Sequence, residues 1–183
     1  MIWGVAGMVN RNRTSMTTLM AIGTLVYVVG CETLAPSTRP LTGSLRTDST
    51  EIGAHRSGFY YLANIGFVYT NTTAKPVSMT GCGGPRFPQL EKNVGGKWVV
   101  AYYPVYLACL TKPDFMIESG ATFRGVLQFM ASEPGHNTAP ELNVDSIDGI
   151  YRLRWDFREG TDATTPGTRS VESISNEFQM VLK

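Results

Sequence analysis

Tyr151-Arg152-Leu153-Arg154-Trp155-Asp156-Phe157-Arg158 is the stretch that decides the fold. Tyr151, Leu153, Trp155 and Phe157 fall on one side of an extended chain, and Arg152, Arg154, Asp156 and Arg158 on the other. Side chains of a strand alternate between two faces, so this pattern predicts a half-buried strand of an antiparallel sheet with its aromatic side inward. Asp148-Gly149 immediately before it supplies a turn.

Moving outward from this strand, the same logic finds others. Tyr61, Ala63, Ile65, Phe67 and Tyr69 share a face between Tyr61 and Thr70, and Asn71 to Pro76 then forms a turn. Val77 and Met79 lead to Cys82, and Phe87 to Lys92 reads as a short strand broken by Pro88. Asn93-Val94-Gly95-Gly96 is a hairpin turn, followed by a strand over Lys97 to Tyr102. Ile117-Glu118-Ser119-Gly120 turns into a strand over Thr122 to Met130, where Phe123, Leu127 and Phe129 share a face. Phe178, Met180 and Leu182 alternate with polar partners in the closing strand, Glu177 to Leu182. No segment after residue 50 carries a helical period. About seven short strands with frequent turns predict an all-β, antiparallel β-sandwich.

Composition agrees with this reading. With 43% hydrophobic and 17% charged residues the chain is globular rather than disordered. Nineteen Gly and ten Pro supply turns for many short strands. A length of 183 residues supports one domain with a tail. Arg11 and Arg13 are the only charged residues before Cys31, so 14 of the 16 basic residues face 15 acidic ones in the remainder. A near-neutral domain without a basic run has no electrostatic footprint for nucleic acid and no polybasic membrane patch.

The first thirty residues read as an export signal. After Arg11 and Arg13 comes the apolar run Leu19 to Gly30. As a helix it would span about 18 Å at ~1.5 Å per residue, short of the ~30 Å hydrocarbon core. A basic start, a short apolar run and a small residue describe a secretory signal. Val28-Val29-Gly30-Cys31 resembles a bacterial lipobox. That resemblance implies a lipid anchor with palmitate-like acyl chains on Cys31, cleavage before it, and a location on the extracytoplasmic side of a membrane. Glu32 resembles the default outer-membrane sorting position in a cell with two membranes. An uncleaved anchor, plain secretion and a buried helix are the alternatives. Glu32 to Thr50 is polar and rich in Pro and Thr, a linker composition, although Leu41 to Leu45 could pair on a sheet edge. The expected division is therefore a signal peptide at 1–30, a lipidated Cys and flexible linker at 31–50, and the β domain at 51–183.

Residues 58–183 resemble a bacterial immunoglobulin-like domain of the kind carried by uncharacterised lipoproteins. The resemblance rests on Phe67-Val68-Tyr69-Thr70-Asn71-Thr72 with Pro76-Val77, on Cys82, Leu90-Glu91-Lys92, Gly95-Gly96-Lys97-Trp98 and Cys109, on Gly149-Ile150-Tyr151-Arg152-Leu153, and on Ser175-Asn176-Glu177-Phe178. Gly149-Ile150-Tyr151 is also similar to the tyrosine corner of immunoglobulin folds. Leu153 stands where such domains carry their second Cys, which implies that any disulfide here is not the usual inter-sheet one. These motifs speak for the fold and are nearly silent on function.

Chemistry-bearing residues are few. Once Cys31 is assigned to lipid, Cys82 and Cys109 are expected to form a disulfide in an oxidising compartment; a metal site would need further Cys or His at short spacing. Gly81-Cys82-Gly83-Gly84 lacks the Lys-Ser or Lys-Thr of a phosphate loop. His55 and His136 sit in turn-like stretches, His136 as a solvated loop tip, and nothing resembles Gly-x-Ser-x-Gly. Arg152, Arg154 and Arg158 form either the solvated face of a sheet or an anion-binding stripe. Tyr102, Tyr103 and Tyr106 form the best candidate binding surface, with the core as the competing destination. The expectation is a membrane-anchored, non-enzymatic module without metal or cofactor that binds protein or glycan of the envelope. The competing expectation is an envelope enzyme or enzyme inhibitor presenting the loops 102–110 or 130–142.

Overall fold

A computed structural model describes residues 44–81, 84–105, 114–164 and 166–183. The signal segment, Cys31, Cys82, Tyr106 and Cys109 lie outside these residues. Eleven strands are described: β1 (Leu45–Thr47), β2 (Glu51–Ser57), β3 (Tyr60–Thr70), β4 (Val77–Met79), β5 (Gln89–Val94), β6 (Lys97–Tyr102), β7 (Phe115–Ile117), β8 (Thr122–Ser132), β9 (Gly149–Glu159), β10 (Ser170–Ile174) and β11 (Phe178–Leu182). There is no helix among the described residues. The strands form a curled, mixed sheet.

The strand that opened the sequence argument is the spine. β9 has four pairing partners because it is long and its neighbours are short. Along one edge β10 pairs with Arg154 to Arg158, and β11 with Gly149 to Tyr151. Along the other edge β5 pairs with Tyr151 to Arg154, and β4 with Arg158 and Glu159. Tyr151, Leu153, Trp155 and Phe157 are all buried, as the alternation requires.

Opposite them lies β3, paired along its whole length with β8. Its inward residues Ala63, Ile65, Phe67 and Tyr69 are buried. The rings of β3 and β9 interlock: Phe67 meets Trp155 edge-on with centroids 5.2 Å apart, and Tyr69 stacks on Phe157 at 4.5 Å. Gly125 of β8 stands directly across from Phe67, where a Cβ would come within 2.5 Å of the ring. The missing side chain thus makes room for a core aromatic.

The structure departs from the sequence expectations in three respects. Residues 44–50, assigned to the linker, belong to the fold. Leu45 is buried, and β1 pairs with Phe67 to Tyr69. Ser44 Oγ donates to Ser173 Oγ (3.0 Å), and Asn176 bonds Thr47 through both its Oδ1 and Nδ2. Second, the pairing is not wholly antiparallel. β2 is divided, with Glu51 to Ala54 running parallel to β11 and His55 to Ser57 antiparallel to β3. Third, β1, β2, β7 and β10 are additional to the strands expected. They are short or polar, and neighbours rather than alternation place them. At the chain end the expected alternation holds for Phe178 and Met180, both buried, while Leu182 is exposed.

Candidate functional site

The outward side of β9 is where charge collects. Its first half is closed by carboxylates from the flanking strands. Glu91 of β5 stands opposite Arg152, and its carboxylate accepts from Arg152 Nε at 2.7 Å. Glu91 also lies 3.7 Å from Arg154 Nη1, although it is itself buried. Arg154 Nε is 2.6 Å from Glu172 of β10 and 3.6 Å from Asp156, ionic contacts off the ideal N–H direction. Burial alone would lower the Arg154 pKa, but the surrounding Asp156, Glu172 and Glu91 hold it above its ordinary value. The Arg152 guanidinium lies over the Trp98 ring at 4.3 Å, a cation–π contact that fixes it further.

The second half is built differently. Ser78 of β4 and Ser170 of β10 are the register partners of Arg158, one on each side. Directly opposed residues share a face with Cβ atoms about 4.5–5.5 Å apart. Ser78, Arg158 and Ser170 therefore form a row across three strands on the outward side. This row floors a cleft of about 640 Å³ whose wall includes Arg86, Gln89, Tyr103 and Arg154. Trp155 Nε1 donates to the Arg86 carbonyl at 2.6 Å, and the Arg86 amide donates to Met79 Sδ at 3.2 Å, so the segment bearing Arg86 is pinned over the core. Arg158 Nη1 reaches only the Thr168 carbonyl, at 3.3 Å. Among the described residues neither Arg86 nor Arg158 has an ion-pair partner. Ser78 is fully buried, yet its hydroxyl has no hydrogen-bond partner among the described residues. A buried hydroxyl left in that state costs about 1–3 kcal/mol.

The expected tyrosine surface is divided. β5 and β6 shift register between Leu90 and Glu91, leaving Ala101 as an extra residue on β6. Unbroken alternation would carry Tyr102 outward with Trp98 and Val100. The bulge reverses the sense, so Tyr102 pairs with buried Leu90 and packs edge-on against Phe129 at 4.9 Å. Tyr102 is 4% exposed and is core, contrary to the expectation. Tyr103 is 53% exposed and stands at the cleft. Tyr106 lies outside the described residues.

His136 lies in the 133–138 loop, where it stacks on Phe59 with centroids 5.0 Å apart. Its Nε2 is 3.6 Å from Glu133. His55 is exposed on β2. Among the described residues no group of three or more His, Cys, Asp or Glu is placed to hold a metal ion. Tyr151 donates its hydroxyl to the Ile147 carbonyl at 2.8 Å, four residues upstream.

Ser78 and Arg86 carried no signal in the sequence. Val77-Ser78-Met79 reads as an ordinary strand fragment, and nothing in it shows that the middle residue lies beside Arg158. The stripe reading of the arginines on β9 was the nearest signal, and the structure resolves it into a neutralised half and an open half. No protein-family model, curated protein or solved structure matches the chain.

Proposed function

We propose that this chain is an exported lipoprotein whose β domain is an immunoglobulin-like sandwich serving as a non-enzymatic recognition module. The lipid on Cys31 would hold it on the extracytoplasmic side of a membrane, and its partner would be a protein or glycan of the envelope. The export half of the reading rests on Arg11 and Arg13, the short apolar run and Val28-Val29-Gly30-Cys31. The sandwich half is supported by the interlocked rings of β3 and β9, by a strand shared between β3 and β11, and by the Tyr151–Ile147 hydrogen bond. Recognition rather than chemistry is favoured by the cleft beside Arg158. Among its described residues it offers cationic and neutral hydrogen-bonding groups, the Asp156 carboxylate beside Arg154 and an exposed tyrosine, a lining suited to holding a ligand. The single observation that carries the binding role is the buried, unpartnered Ser78 hydroxyl on the floor of that cleft.

In the same reading Cys82 and Cys109 form the disulfide of the mature domain, which would stabilise it by roughly 2–5 kcal/mol. Metabolic labelling with a fatty-acid analogue tests the anchor. The chain should be labelled, and Cys31→Ser should remove the label and leave a larger precursor. Persistent label on the variant would show that Cys31 is not the lipid site. Turnover of a substrate by the purified domain, abolished by one polar substitution in the cleft, would overturn the non-enzymatic role.

A further inference from the structure

We infer that the cleft floored by Ser78, Arg158 and Ser170 binds the oxyanion of a small ligand, a phosphate or a carboxylate, with the ligand body carried toward Tyr103. The inference rests on the recognition reading above and names the chemistry of that same site.

Three independent features converge. The first is charge left without a counterpart. Three arginines line the cleft, but Arg154 is held by Glu91, Asp156 and Glu172, so Arg86 and Arg158 are the cations that remain. Of the nearby carboxylates, Asp156 contacts Arg154, and Asp114 Oδ2 accepts from the Ala163 amide at 2.9 Å while its buried Oδ1 has no hydrogen-bond partner among the described residues. Two guanidiniums sharing a concave site attract an anion and match its planar or tetrahedral oxygens with paired N–H donors. The second is the hydroxyl of Ser78, buried, unpartnered and on the same side of the sheet as Arg158. An oxyanion oxygen would accept from it and remove the cost of its burial. The third is neutral polar lining without further acids beyond Asp156. Gln89 and Ser170 complete the wall, and Tyr103 offers an exposed ring at which a larger body could rest.

Nothing covalent is required. The occupant exchanges water for hydrogen bonds from two guanidiniums and one from an uncharged hydroxyl, all of them charge-assisted by the anion. Phosphate and carboxylate share this chemistry, and their relative affinity separates a phosphorylated from a carboxylated ligand.

The test is an NMR titration of the isotope-labelled full chain with inorganic phosphate, with acetate and with the neutral disaccharide cellobiose, all at matched ionic strength. Saturable shifts of the Ser78 amide and the Trp155 indole with phosphate or acetate are expected. Arg158→Gln and Arg86→Gln should each weaken that binding at least about tenfold, the equivalent of one charge-assisted hydrogen bond. Both should retain the wild-type pattern elsewhere in the spectrum. Ser78→Ala, which changes no charge, should weaken it by a smaller factor and guards against a purely diffuse electrostatic effect. Absence of saturable shifts with either anion, or shifts untouched by both arginine substitutions, overturns the inference. Shifts at the cleft with cellobiose alone also overturn it, while leaving the recognition role standing.

Discussion

The two halves of the outward side of β9 both carry arginine and give it opposite fates, Arg152 and Arg154 in the first half and Arg158, two residues after Asp156, in the second. Arg152 and Arg154 meet Glu91 and Glu172 on the flanking strands, and their charge is consumed within the fold. Arg158 has Ser78 and Ser170 as its register partners, forms no ion pair among the described residues, and keeps its charge open to a cleft. The difference lies in which carboxylates reach each arginine: Glu91, the register partner of Arg152, also extends diagonally to Arg154, and Glu172, the partner of Asp156, turns to Arg154 rather than to Arg158. A stripe of arginines therefore has no single meaning. Its function is decided one residue at a time by the carboxylates that reach each arginine from opposite, diagonal and same-strand positions.

The largest expected effect tests the floor that both halves share. Trp155→Ala removes a buried ring that packs on Phe67, Tyr69 and Phe157 and holds the Arg86 carbonyl. It should cost about 3–5 kcal/mol in denaturant unfolding. A loss under about 1 kcal/mol would mean that the core does not rest on β9.

The closed half comes next. Glu91→Gln leaves Arg152 short of a charge and removes an ion contact from Arg154. A fully buried pair broken on one side costs about 3–5 kcal/mol. Arg152 and Arg154 keep some solvent contact, so about 2 kcal/mol is expected from the same unfolding measurement. A neutral result would show this half to be as open as the other.

Alkaline pH probes the inner side of the same sheet. Burial pushes Tyr69 up to about 12 from 10.0, and burial raises Tyr151 and Tyr102 as well. A folded-state pKa above the unfolded value means that the native state holds its proton longer. Stability from these groups is therefore complete below pH 10 and declines as pH rises toward 12. Phenolate absorbance followed together with unfolding should place this loss in that window; a decline that begins below pH 9, before any tyrosine ionises, would contradict the assignment.

The smallest effect belongs to the open half. Arg158→Gln touches no ion pair among the described residues and should change stability by less than about 0.5 kcal/mol. A loss approaching that of Glu91→Gln would erase the distinction between the two halves.

Long alternating strands were legible in the sequence. Tyr151 to Arg158 and Tyr61 to Thr70 bury the residues that their period assigns inward, with Tyr61 only half-buried at its strand end. Alternation is a local property, and these runs are long enough to display it. β1 and β7 span three residues each and cannot display a period. β2 loses its apolar side after Ala54 because its second half leaves β11 for β3. The sequence leaves Tyr102 open between surface and core, because the bulge that turns it inward leaves no mark in the residue types around it. Ser78 was illegible because its meaning depends on a strand 80 positions away in sequence, Arg158. Such pairings exist only once the sheet has formed.

If Arg158 serves an anion while Arg152 and Arg154 hold the fold together, only Arg158 should link stability to phosphate. Thermal unfolding of the wild-type and Arg158→Gln chains, each with inorganic phosphate or with chloride at matched ionic strength, tests it most directly. A ligand that binds only the native state raises its midpoint by mass action. Phosphate should raise the wild-type midpoint and leave that of Arg158→Gln unchanged. Equal elevation of both midpoints, or of neither, would contradict the account.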